Sequence, residues 1–96
     1  MGHEFTIKEL IDKALQQYNF DDSIVRGRVA QAYEQAVGEF IMKLTRSVRY
    51  EVATHTLFVT LASPALKNEL TYKTSDLIEA VNKHYGSAEV KKIIFR

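Results

Sequence analysis

The sequence predicts a single α+β domain in the order α-α-β-β-α-β, with a three-stranded sheet covered by helices on one face. Three observations carry this. Apolar residues recur every three or four positions through the first half of the chain and again after Ser63. Two neighbouring runs between Val48 and Leu61 alternate apolar with polar residues, as half-buried strands do. A third short apolar run, Ile93-Ile94-Phe95, ends the chain. Three strands cannot bury an apolar face alone, so helices must close one side. With 96 residues there is room for one core, and the domain is read as spanning 1–96.

Thr6-Ile7-Lys8-Glu9 reads as a capping box. Ile7, Leu10, Ile11, Ala14, Leu15 and Tyr18 then share one helical face, which predicts a first helix over 6–18. Asp22 or Ser23 can cap a second helix over 23–37, whose apolar residues at helical spacing are Ile24, Val25, Val29, Ala32, Tyr33, Ala36 and Val37. Phe40, Ile41 and Leu44 continue the spacing, so a further helical turn follows and Gly38 marks a kink or a close packing point. Val48, Tyr50 and Val52 face inward on the first strand; Leu57, Val59 and Leu61 face inward on its hairpin partner, across a turn at Ala53 to Thr56 that lacks glycine. Ser63-Pro64 starts a third helix running to about 84, with a bend expected among the weaker helix formers Thr71 to Ser75. Gly86 ends it. Val90 to Arg96 forms the last strand, with Ile93 and Phe95 on one face and Lys92 and Ile94 on the other.

Composition excludes several classes. Hydrophobic residues make up 46% and charged residues 26%, so the chain is not a disordered one. It has no cysteine, hence no disulfide and no thiolate zinc site. No run reaches the roughly 20 apolar residues of a membrane span. The N-terminus has no apolar signal core, so the reading is cytoplasmic. His3, His55 and His84 lack metal-pair spacing, Asp21-Asp22 suits a helix start, and no serine sits in a nucleophile elbow. Nothing supports an enzyme, a metal or a cofactor.

The charge is uneven. Residues 1–42 hold four basic and seven acidic residues, whereas residues 43–96 hold nine basic and five acidic ones. A mildly basic second half suits a polyanion. The candidates for phosphate contact are Lys43, Arg46, Arg49, Lys67, Lys92 and Arg96, with Phe58 as an outward aromatic among them. The alternative is a dispersed surface that only keeps the protein soluble. Lys67 and Lys91 have nearby acids, Glu69 and Glu89, as alternative partners. Tyr50 points to the core, Tyr33 to the helix–sheet junction. Ile93 to Phe95 forms an edge strand through which a homodimer could pair.

From Val29 to Arg96 the chain resembles the bacterial DciA-like family, operators of the replicative helicase long filed as a domain of unknown function. The resemblance is carried by an ordered set. It runs from Tyr33 and Val37-Gly38 to Lys43-Leu44-Thr45 and the strand Thr56-Leu57-Phe58-Val59-Thr60-Leu61. Ser63-Pro64-Ala65-Leu66-Lys67-Asn68-Glu69-Leu70, Val81-Asn82 and the final Ile93-Ile94-Phe95-Arg96 complete it. The ending looks like the short, Bacteroidetes-type form of the family. The resemblance implies a K-homology (KH)-like fold and a DNA-replication accessory contacting the replicative helicase, single-stranded or forked DNA, or both. The chain has no Gly-x-x-Gly loop of the sort with which KH domains clamp nucleic acid. The rival readings are an RNA-binding KH-like protein and a protein-interaction module without nucleic-acid contact.

Overall fold

The computed structural model describes residues 6–7 and 22–96. The helix expected over 6–18 lies outside them, apart from Thr6 and Ile7. The remaining elements are α1 (Asp22–Lys43), β1 (Thr45–Glu51), β2 (Thr56–Leu61), α2 (Pro64–Tyr72), α3 (Thr74–Tyr85) and β3 (Lys92–Phe95). This is an α+β fold with a three-stranded sheet in the order β1-β2-β3.

Helix α1 buries Val29, Ala32 and Tyr33, the stripe its 3–4 spacing creates. It is not continuous. Gly38 has φ 83° and ψ 175°, a region open almost only to glycine, and the helix kinks there. A Cβ at Gly38 would meet nothing within 4 Å, so of the two expectations the kink holds and the close packing point does not. Past the kink, the Tyr33 hydroxyl donates to Thr45 Oγ1 at 3.1 Å, and Thr45 Oγ1 donates to the Ile41 carbonyl at 2.8 Å. Tyr33 is thereby held at the junction of α1 with the sheet, and burial pushes its phenol pKa up.

β1 begins earlier than the alternation suggests, at Thr45, because its register with β2 shifts between Thr45 and Ser47. Arg46 therefore sits in a bulge. The hairpin is antiparallel, pairing Val48 with Val59, Arg49 with Phe58 and Tyr50 with Leu57. Its turn is closed by the His55 N–H donating to the Val52 carbonyl at 3.3 Å. His55 takes φ 54°, a left-handed conformation that usually falls to glycine or asparagine. The strain is offset locally: the His55 carbonyl accepts from the Lys91 and Lys92 amides at 2.9 and 3.2 Å.

Ser63 caps α2, its Oγ accepting from the Leu66 amide at 3.2 Å, and Pro64 supplies the first turn. The bend expected among Thr71 to Ser75 is a full break at Lys73 (φ −110°, ψ 20°). Two threonines bond back to the helix: Thr71 Oγ1 to the Lys67 carbonyl and Thr74 Oγ1 to the Thr71 carbonyl, both at 2.7 Å. Gly86, at φ 102°, ends α3 in the left-handed conformation. The two helices form the crossover that a parallel connection needs, and β3 joins β2 in parallel. The core lies between helices and sheet, built on Tyr33, Leu57, Val29, Val59, Val81 and Val90, all nearly inaccessible to solvent.

Candidate nucleic-acid interface

Strand alternation decides what the sheet offers to each side. Tyr50, Leu57, Val59, Ile93 and Phe95 turn into the core. The intervening residues point to the other face, away from the core. The registers place Arg49, Phe58 and Ile94 in one row across all three strands, with Glu51, Thr56 and Lys92 in the next. Arg96 extends the ladder past β3: its N–H donates to the Val59 carbonyl at 2.8 Å and its carbonyl accepts from the Leu61 amide at 3.0 Å.

Phe58 is the centre of this face. The Arg49 guanidinium carbon lies 4.7 Å from its ring centroid, and that of Arg96 also lies 4.7 Å away. Both are within cation–π range. Since β2 lies between β1 and β3, the two guanidiniums approach from opposite flanks. Their separation is at most twice that distance. Neither arginine, nor Lys92, has a carboxylate partner among the described residues. Glu51, the one acid in these rows, accepts from Thr54 Oγ1 at 3.0 Å. Both guanidiniums lie over the Phe58 ring and both arginines are exposed, so they remain accessible to a ligand. That arrangement suits phosphate oxygens better than a stacked base.

The structure gathers four of the seven candidates, Arg49, Phe58, Lys92 and Arg96, on this face. Arg46 is exposed at the bulge that starts β1. Lys43 ends α1 and pairs with Glu39 at 3.7 Å. Lys67 is exposed on α2, in the helical layer. Glu69 pairs with Lys73 at 3.7 Å, not with Lys67, and Glu89 pairs with His55, not with Lys91.

A second polar cluster escaped sequence reasoning. The Tyr50 hydroxyl donates to Glu89 Oε2 at 2.6 Å, and His55 Nδ1 lies 2.9 Å from the same oxygen and 2.8 Å from the Glu89 carbonyl. Burial, and then the adjacent carboxylate, push the Tyr50 phenol pKa far up. The cluster ties the hairpin turn to the segment before β3. Its members are 34 and 39 residues apart in sequence, so no local pattern marks them. Arg28 makes a similar tie, stacking 4.3 Å above the Tyr85 ring and donating to the Tyr85 carbonyl at 3.0 Å. Among the described residues no group of three or more His, Cys, Asp or Glu could hold a metal. No helix there is long and apolar enough to cross a membrane.

Residues 6–95 match the family described as "Dna[CI] antecedent, DciA". A comparison with curated proteins found no match.

Proposed function

The chain belongs to the DciA family, and from that premise we propose that it is a non-enzymatic accessory of DNA replication that engages the replicative helicase and DNA, with the sheet face turned away from the described core as its nucleic-acid surface. The observation that carries the DNA part is the placement of Arg49 and Arg96 on either flank of Phe58, with no acid pairing either one among the described residues. Contacts of this type neutralise phosphates and carry no base sequence, so binding is weak and falls as salt rises. Lys92, one row along, extends the same field. The sequence holds no nucleophile, metal or phosphate-loop motif, which supports an accessory over an enzyme.

The test measures binding to the purified replicative helicase of the source organism, with and without forked DNA, at low and high salt. Helicase binding that survives high salt, with salt-sensitive DNA binding by the sheet face, is the expected result. No helicase binding would sink the accessory reading. Discrimination in favour of a 2′-hydroxyl strand would move the protein to the RNA-binding alternative. Helicase binding with no affinity for any nucleic acid would leave a protein-interaction module.

A further inference from the structure

The helical layer has an apolar groove of about 460 Å³ that the sheet-face reading does not use. Its first wall is the kinked end of α1, with Ala36, Val37 and Phe40. The second is formed by α2 and α3, with Leu66, Leu70, Leu77 and Ala80. Phe40 is 73% exposed, unusual for a large aromatic side chain in a domain this small. The Gly38 kink sets the direction of the turn that carries it. Both walls are helices, and each brings an alanine to the groove. A third helix can lie between them, its ridges entering a helical groove, whereas a strand would find no backbone edge to pair with.

Charge selects the kind of helix. The acids and bases along the groove are Glu69, Lys73 and Asp76, and Glu69 already neutralises Lys73 at 3.7 Å. Asp76 has no partner among the described residues. The uncompensated charge around the groove is therefore negative, opposite in sign to the sheet face. We propose that this groove docks an amphipathic helix of a partner protein, one whose apolar stripe is flanked by lysine or arginine. The chain's own segment over 6–18 fits less well, because Lys8 and Lys13 are balanced there by Glu9 and Asp12. This site stands independently of the nucleic-acid surface.

The experiment titrates the isotopically labelled full chain with two synthetic helical peptides that share one leucine stripe, one flanked by lysine and one by glutamate. The lysine peptide should shift the amides of Ala36, Phe40 and Ala80. Phe40→Ala should weaken it about tenfold, as truncating an interface aromatic does. Asp76→Asn should weaken it about threefold at low salt, less at high salt. Arg49→Ala, which impairs the sheet face, should leave it unchanged. Melting curves of each variant exclude loss of fold as the cause. Equal binding of the glutamate peptide, or shifts confined to the sheet face, would overturn the proposal. So would a concentration-dependent dimer abolished by Phe40→Ala, or cross-links in the free protein from residues 6–18 into the groove, since either gives the groove a different occupant.

Discussion

The side-chain amide of Asn82 is joined to the backbone of Val90 by two hydrogen bonds of 2.8 Å, one in each direction. Asn82 Nδ2 donates to the Val90 carbonyl and Asn82 Oδ1 accepts from the Val90 N–H. Val90 is 1% exposed, and it lies just before β3, where no strand pairing satisfies its backbone. A helix side chain thus does the work of a neighbouring strand and aims the chain into the sheet.

Removing that pair should be costly. Asn82→Ala leaves a buried N–H and a buried carbonyl without partners, at about 1–3 kcal/mol for each unsatisfied group. Asn82→Asp keeps the acceptor but loses the donor and sets a carboxylate against a carbonyl, so it should not rescue the fold. Urea denaturation of the two variants checks this; a loss below about 0.5 kcal/mol in Asn82→Ala, the ordinary size of a surface substitution, would contradict it.

Alkaline pH should unfold the protein through Tyr50. Tyr50 is 4% exposed, and burial and Glu89 raise its phenol pKa above the ordinary value of 10.0. In the unfolded chain the phenol ionises near 10.0, whereas in the native state it stays protonated. The stabilisation is therefore complete below pH 10 and declines as pH rises above it. Tyr33 and Tyr85 are raised too, chiefly by burial, and add to the decline. Thermal melts from pH 8 to pH 11 should show a falling midpoint, and a shallower fall in Tyr50→Phe.

The sheet face predicts a specific salt signature. Arg49→Ala with Arg96→Ala should reduce the slope of log affinity against log salt by about two for single-stranded DNA, one per lost phosphate contact. Lys67→Ala, placed in the helical layer, should change neither slope nor affinity. Fluorescence anisotropy across a salt series reads both. Phe58→Leu should also weaken binding, because it removes the ring that holds the two guanidiniums.

Gly38→Ala tests the kink. The backbone at φ 83° and ψ 175° excludes a Cβ on conformational grounds although nothing nearby blocks it. The expected cost is about 1–3 kcal/mol. Chemical denaturation gives the cost. Amide shifts at Phe40 and Ile41 should accompany it, because a straightened helix would re-aim both.

Among the described residues, the sequence by itself determined most element positions and the faces they bury, though it joined into one bent helix the two that break at Lys73. Periods of 3.6 and 2 follow from backbone geometry, so the stripe Val29, Ala32 and Tyr33 and the inward set Tyr50, Leu57, Val59, Ile93 and Phe95 are both legible as patterns. The Ser63-Pro64 start and the Gly86 stop are equally local, because caps act within one turn. Outward placement of Phe58 with Arg49, Thr60 and Lys92 follows from the same alternation. Only the tertiary structure decided which of these residues meet. The break at Lys73 and the parallel pairing of β3 with β2 bring Arg96 beside Phe58, 38 positions away in sequence. Asn82 reaches Val90, and His55 reaches Glu89, by the same closure. The groove beside Phe40 exists because α1 turns at Gly38 against a helix pair far along the chain. Local periodicity sets which way a side chain points. What it points at depends on packing between distant segments, and no pattern within either segment records that.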